Sequence, residues 1–238
     1  MLAEIQPVET SKEENGRWHL GALGDLLIVM AVLVCVKQSL LPFTYLYAGP
    51  ASTTSAMIVA TYLLWRRGSG WKALGLKWPE SWWKIAALTL LSVVAFLAAT
   101  GSMQFIASQF FEDIGTSGRF DHVEGNFWAY IGMMALVWTH GSFFEELLFR
   151  AFIINRSSSF LGGGLRADIV AALLSSIFFG YRHYYYQGLY GALVTGAAGL
   201  AFALIYIWTG RKNILPLIFA HGIINSLGQT LRYLGIDG

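Results

Sequence analysis

Long apolar runs separated by short polar segments make up most of this chain. A run of about 20 apolar residues is long enough to cross a bilayer as a helix. We therefore predict an all-α fold, a polytopic transmembrane helical bundle of about seven spans. The predicted spans are 23–47, 52–65, 84–110, 126–153, 167–185, 189–209 and 214–234.

The composition supports this interpretation. Of the 238 residues, 55% are hydrophobic and only 13% are charged, whereas a soluble domain carries about 25% charged residues. A net charge of +2 gives no indication of nucleic-acid binding, so the expected surroundings are membrane lipids. The first 20 residues are polar, and the apolar run after them is too long for the core of a signal peptide. We therefore expect the first helix to remain as an uncleaved anchor.

Lysine and arginine are distributed unevenly between alternate loops. With the amino terminus inside, eleven of them fall on the cytoplasmic side and two on the opposite side, as the positive-inside rule predicts. We therefore expect a multi-pass protein of a prokaryotic plasma membrane, with a cytoplasmic segment at 1–22. The inner set is Lys12, Arg17, Arg66, Arg67, Lys72, Lys77, Lys84, Arg156, Arg166, Arg211 and Lys212; the outer set is Arg119 and Arg232.

Two carboxylates and a guanidinium interrupt the fourth apolar run. Ionisable side chains at membrane depth are costly, and by default they mark a functional site. In an α-helix, Glu146 and Arg150 lie four residues apart in the order that favours an ion pair. Glu145 is rotated by about 100° from Glu146, so it is left to meet a water or a substrate. His140, five residues before Glu145, is predicted to lie roughly on the other side of the helix, as a packing or tautomer-fixing neighbour.

Two later apolar runs contain polar groups at a spacing of four. Phe179 and His183 share one helix face, and His221 and Asn225 share another. A histidine and an amide one turn apart can both donate hydrogen bonds to the oxyanion of a tetrahedral intermediate. With Glu145 these groups make a candidate site for acyl hydrolysis. Taken singly, each also fits an interhelical hydrogen bond or a packing contact.

The two histidines do not fall at the same depth on simple helices. At about 1.5 Å per residue, His183 lies about 22 Å from the start of its span at Asp168, and His221 lies about 10 Å from the start of its own. Either helix tilt or a re-entrant turn after His183 must bring them level.

Other features limit the chemistry. Lys37 lies within the first span without an obvious partner, and it either snorkels or lines a cavity. Cys35 is the only cysteine, which excludes an intrachain disulfide and a thiolate zinc cluster. The motifs H-E-x-x-H, G-x-S-x-G and G-x-G-D are missing from the sequence, which leaves glutamate as the main acid of the apolar core.

In this order, the three motifs resemble the CPBP family, the CAAX prenyl endopeptidase and bacteriocin-processing group, also called Abi-domain proteins. The family pattern is E-E-x-x-x-R, then F-x-x-x-H, then H-x-x-x-N or H-x-x-x-D. The resemblance covers about 125–233, which we take as the catalytic transmembrane core, and leaves 23–124 as variable helices and loops. The matching residues are Glu145, Glu146 and Arg150, then Phe179 and His183, then His221 and Asn225.

The resemblance implies an intramembrane endopeptidase of the glutamic type, with its active site within the membrane core. By this analogy, Glu145 helped by His183 activates the water, and His221 with Asn225 stabilises the oxyanion. Glu146 and Arg150 then support the site, and Phe179 is a packing residue. The resemblance favours a metal-free enzyme. A zinc-dependent version of the same protease, with Glu145, His183 and His221 as ligands, is the alternative.

Two other classes of function remain open. One is a non-proteolytic membrane scaffold or immunity protein that keeps the fold. The other is a proton-coupled transporter that uses Glu145 and the histidines as a relay, although the sequence lacks the internal halves typical of transporters. The substrate is also open among prenylated CAAX peptides, bacteriocin leader peptides and carboxyl-terminal sorting tails.

Overall fold

The computed structural model describes residues 12–116 and 118–236, and every regular element in them is a helix. The all-α prediction is therefore confirmed. Two short 3-10 turns lie in the connections, at Trp71–Leu74 and Asp121–Val123. The α-helices are α1 Lys12–Leu40, α2 Ala48–Arg66, α3 Trp82–Ala107, α4 Phe127–Trp138, α5 Ile154–Phe160, α6 Gly164–Trp208 and α7 Leu215–Tyr233.

Three of these helices contain segments that are long and apolar enough to cross a membrane, namely Leu20–Leu40, Trp82–Ala107 and Gly164–Trp208. The bundle therefore fits a multi-pass integral membrane protein. The count of seven spans stays a prediction.

The helix starts follow local capping signals. The Asn126 side chain accepts a hydrogen bond from the Ala129 backbone N–H at 3.1 Å, and Ser81 caps α3 in the same way. Asn213 accepts from the Leu215 N–H at 2.9 Å. These side chains satisfy amide groups that have no partner inside the helix.

The long helix α6 is two packed arms rather than one rod. Gly188 has φ +61°, a left-handed conformation that breaks the helix. In a straight helix Gly180 and Gly196 would be about 24 Å apart, but a Cβ placed on Gly180 would lie 3.2 Å from the Gly196 Cα. The arms 164–187 and 189–208 therefore fold back on each other. The break falls between the predicted spans 167–185 and 189–209, and their separate crossing of the membrane stays a prediction.

The fourth span differs from the prediction. We expected an α-helix over 126–153, but α4 ends at Trp138 and the chain continues as π-helix over Thr139–Phe144 and Glu146–Ile153. A π-helix bonds residue i to residue i+5 and widens the turn, and it is frequent at functional sites. Angles derived from the 3.6-residue period therefore do not hold between His140 and Arg150.

Ion pairs gather at one end of the bundle. Asp25 binds Arg67 and lies 3.4 Å from the Arg156 Nε, and Asp168 binds Arg211. At the other end, the Arg232 guanidinium lies 4.7 Å from the Phe120 ring centre, and Arg119 contacts the same ring. The basic residues predicted to lie inside and outside therefore occupy opposite ends. Which end faces the cytoplasm stays a prediction.

The close packing of the two α6 arms predicts that Gly180→Ala will destabilise the protein. The added methyl group meets the Ala192 carbonyl and the Gly196 backbone, and such overpacking costs about 1–3 kcal/mol. Thermal unfolding in detergent should show a lower midpoint. Gly101→Ala in α3 is the matched control, because a Cβ there meets open space, and it should leave the midpoint unchanged or raise it. Equal midpoints for the two variants would contradict the packing.

The positive-inside rule predicts that the end carrying Arg119 faces away from the cytoplasm. In a Cys35→Ser background, Glu112→Cys should react with a membrane-impermeant maleimide in intact cells. Ser69→Cys, in the connection after α2, should react only after the cells are permeabilised. The reverse pattern would invert the predicted topology.

Candidate active site

A cavity of about 400 Å³ lies at the end of the bundle opposite the ion pairs of Asp25 and Asp168. Its walls come from α2, α3, α4, the π-helical segment, both arms of α6 and α7. The connections before α2 and before α4 also contribute, whereas 67–81 and 209–214 do not. The predicted site residues on its wall are Glu145, Arg150, Phe179, His183, His221 and Asn225.

Glu145 faces this cavity from the π-helical segment. Within residues 12–116 and 118–236, it forms no hydrogen bond and no ion pair. Its carboxylate is therefore available to a water molecule or a substrate, as we expected from its position beside Glu146.

His140 also lines the cavity, and our placement of it on the other side of the helix was wrong. The physical reason is the π-helix, because residues five apart are hydrogen-bonded neighbours along one face in that geometry. The His140 Nε2 atom lies 2.7 Å from the Thr54 hydroxyl, and its Nδ1 lies 2.8 Å from the Thr139 hydroxyl. Both ring nitrogens are thus held by hydroxyl groups.

Glu146 lies behind the cavity wall with no exposed surface. One carboxylate oxygen lies 2.7 Å from the His221 Nδ1, and the other lies 3.2 Å from the Arg150 Nε. The predicted ion pair with Arg150 is present. The bond to His221 was not predicted. It occupies the Nδ1 of the imidazole, so Nε2 is the ring nitrogen that is left to interact with another group.

The imidazole of His183 is oriented by its own helix. Its Nδ1 lies 2.8 Å from the Phe179 carbonyl oxygen, which can only accept, so Nδ1 carries the proton and Nε2 holds the free lone pair. The Phe179 ring centre lies 4.7 Å from the His183 ring and 6.3 Å from the His221 ring. Both imidazoles are therefore level with one phenyl ring. The fold-back of α6 follows five residues later at Gly188.

Arg150 joins this group through its flat face. Its guanidinium carbon lies 4.3 Å from the Phe179 ring centre and 5.6 Å from that of Phe202. Such stacking compensates part of the cost of burying the charge. Phe179 thus packs against a cation and two imidazoles, in agreement with its predicted packing role.

Asn225 connects α7 to the π-helical segment. Its side-chain amide donates to the Gly141 carbonyl at 3.4 Å. Gly141 has a reason to lack a side chain, because a Cβ there would lie 3.3 Å from the same amide nitrogen. This bond uses one of the two protons of the amide nitrogen. Asn225 also lines the cavity.

Lys37 neither snorkels to the membrane surface nor lines the cavity. It is buried and donates to the Arg182 carbonyl at 2.7 Å, and its Nζ lies 4.0 Å from the Tyr185 ring centre. It ties α1 to the first arm of α6 just before the break at Gly188.

The zinc alternative requires three ligands to converge. Among the described residues, no group of three His, Cys, Asp or Glu side chains is placed to hold a metal ion. The set Glu145, His183 and His221 therefore does not fit a zinc ion as it is arranged here.

A carboxylate that has no ion pair among the described residues, two oriented imidazoles and an amide thus line one cavity of an apolar helical bundle. Residues 126–227 match the protein family described as type II CAAX prenyl endopeptidase Rce1-like. The resemblance to the CPBP family is thereby confirmed over this segment, which supports a membrane peptide hydrolase in general. No curated protein and no solved structure matches the chain.

Sequence reasoning missed two arginines of the cavity wall. Arg119 lies outside the family motifs, and Arg182 stands directly before His183 without having been assigned a role. Arg182 could have been found, because a guanidinium at membrane depth is as costly as the carboxylates that drew attention.

The different surroundings of the two glutamates predict different stability effects. Glu146→Gln removes the anion that faces Arg150 and His221, and breaking a buried pair costs about 3–5 kcal/mol. Glu145→Gln is the matched control and should leave the unfolding midpoint close to that of the unchanged protein, because no described partner is lost. Thermal unfolding in detergent compares them. A larger loss for Glu145→Gln would contradict the assignment of partners.

Proposed function

We propose that this protein is an intramembrane endopeptidase of the glutamic type. It hydrolyses a peptide bond in a membrane-associated or lipidated substrate whose cleaved segment enters the cavity. The observation that carries the proposal is the contrast between the two adjacent glutamates. Glu146 is buried and bonded to Arg150 and His221, whereas Glu145 faces the cavity without a partner among the described residues.

In the proposed reaction, Glu145 is the general base. A water molecule between Glu145 and the Nε2 of His183 loses a proton to the carboxylate and attacks the carbonyl carbon of the peptide bond. Glu145 then passes that proton to the departing amine as the carbon–nitrogen bond breaks. The products are a carboxyl terminus and an amino terminus, and the enzyme returns to its starting state.

The Nε2 of His221 and the amide of Asn225 stabilise the oxyanion in this scheme. Glu146, at 2.7 Å from the His221 Nδ1, holds the imidazole in place, and the scheme assigns an N–H on the His221 Nε2 to the oxyanion. The bond from Asn225 to the Gly141 carbonyl leaves one amide proton for the same purpose. Donors fixed in this way before the reaction are the main source of such stabilisation.

The proposal predicts that Glu145→Gln abolishes proteolysis in a folded protein. Loss of a general base lowers the rate by about 10²–10⁴-fold. His183→Ala and His221→Ala should have effects of similar size, and Asn225→Ala should cost about 10²–10³-fold. The measurement is mass spectrometry of new peptide termini in membranes of cells that carry either the active protein or the Glu145→Gln form.

The matched control is Glu112→Gln, because Glu112 is an exposed carboxylate outside the cavity. It should give the same termini as the unchanged protein. If the termini are the same with Glu145→Gln as with the unchanged protein, the protein is not a glutamate-dependent protease. A cellular phenotype that survives Glu145→Gln would favour the scaffold or immunity alternative.

A further inference from the structure

The buried and half-buried arginines of the bundle are not all matched by carboxylates. Arg67 and Arg156 face Asp25, Arg211 faces Asp168 and Arg150 faces Glu146. Arg119 and Arg182 form no ion pair with any residue in 12–116 or 118–236. Both line the cavity, where Glu145 is the one carboxylate among the described wall residues.

Neutral groups hold the guanidinium of Arg182. It donates to the Leu33 carbonyl at 2.9 Å and to the hydroxyls of Ser52 and Thr53 at 3.0 and 3.2 Å. These acceptors satisfy hydrogen bonds but do not cancel the charge. Since Arg182 is only 6% exposed, its positive potential acts in surroundings where water screens little.

Arg119 adds a second guanidinium to the wall of the cavity. It donates to the Leu46 carbonyl at 2.9 Å and to the Tyr185 hydroxyl, and its guanidinium carbon lies 4.4 Å from the Tyr186 ring centre. Its Nε is buried and has no acceptor among the described residues. A buried donor without an acceptor is uncommon in proteins, and this nitrogen is therefore able to donate to a ligand.

The two arginines therefore leave an excess of positive charge at the open end of a small cavity. Guanidinium groups match the planar, two-oxygen geometry of a carboxylate. A volume of about 400 Å³ admits a short peptide segment rather than a folded domain. A carboxylate bound here would accordingly belong to a residue only a few positions from the bond that Glu145 attacks.

We propose that Arg119 and Arg182 form a subsite that binds a carboxylate of the peptide held in the cavity. This inference rests on the proposed function for the identity of the ligand as a peptide. The carboxylate comes either from the free carboxyl end of the chain or from an acidic side chain. Arg119 lies outside the segment that matches the family, whereas Arg182 lies within it, so the subsite joins one arginine of the matched segment to one from the rest of the chain.

The test measures binding by the Glu145→Gln form, so that no probe is cleaved. Three N-acetylated apolar tetrapeptides are compared: one with a free carboxyl end, its amide, and the amide with one internal aspartate. A charge-assisted pair is expected to make at least one of the two carboxylate peptides bind about tenfold or more tighter than the plain amide. Isothermal titration and the shift in unfolding midpoint both report this difference. Preference for the first identifies a chain end, and preference for the third identifies a side chain.

Arg119→Gln in the same background should remove the preference, and Arg119→Lys should keep part of it. Arg166→Gln is the matched control, because Arg166 is exposed at the other end of the bundle, and it should change nothing. If all three peptides give the same affinity, or the same absence of a shift, the subsite does not exist, whether or not Arg119→Gln folds. A preference that survives Arg119→Gln unchanged overturns the role of Arg119.

Because binding is read without cleavage, this result is independent of the proteolysis test. A carboxylate preference that depends on Arg119, with no peptide termini that depend on Glu145, would keep the subsite and reject the protease. The opposite combination would keep the protease and reject the subsite.

Discussion

The carboxylate of Glu146 holds the site together, because it satisfies two cationic or polar groups from different parts of the bundle at once. One oxygen fixes His221 on α7, and the other faces Arg150 one turn further along its own segment. Without it, a guanidinium that is 1% exposed would lie in an apolar core without an anion. Glu146 takes both of these groups as partners, and Glu145 forms an ion pair with neither of them.

The π-helical segment adds His140 to the same site. An α-helix would also set the adjacent carboxylates on diverging faces, but it would turn His140 away from Glu145. The wider turn brings His140 and Glu145 to one cavity, while Glu146 is directed into the core. Extra donors accompany the change in geometry: Ser142 donates to the Val137 and Trp138 carbonyls, and Asn225 donates to that of Gly141. Side chains thus stabilise backbone that an α-helix would satisfy by itself.

Much of this arrangement could be predicted from the sequence, because hydrophobic runs and membrane-depth charges are strong signals. The spans on either side of Gly188, the pair Glu146–Arg150 and the gathering of His183, His221 and Asn225 near Glu145 all follow from them. The bond between His221 and Glu146 could not be predicted, since it depends on the rotation of α7 against the π-helical segment. The place of His140 was mispredicted because i→i+5 bonding has no clear sequence signal. Lys37 could not be placed because its acceptor is a backbone carbonyl on α6.

The charges of the bundle separate into two regions with different physical roles. At the end with Asp25 and Asp168, each of these two carboxylates faces arginine, and such mutual neutralisation suits a structural end. At the cavity end, Arg182 is held by neutral oxygens, and Glu145 has no ion pair among the described residues. Opposite charges that are kept apart in a low-dielectric cavity cost free energy unless a third group enters between them. A polar, partly anionic peptide segment supplies such a group, whereas a lipid tail does not. The separation of charge that lowers the stability of the empty cavity therefore favours binding of the proposed substrate.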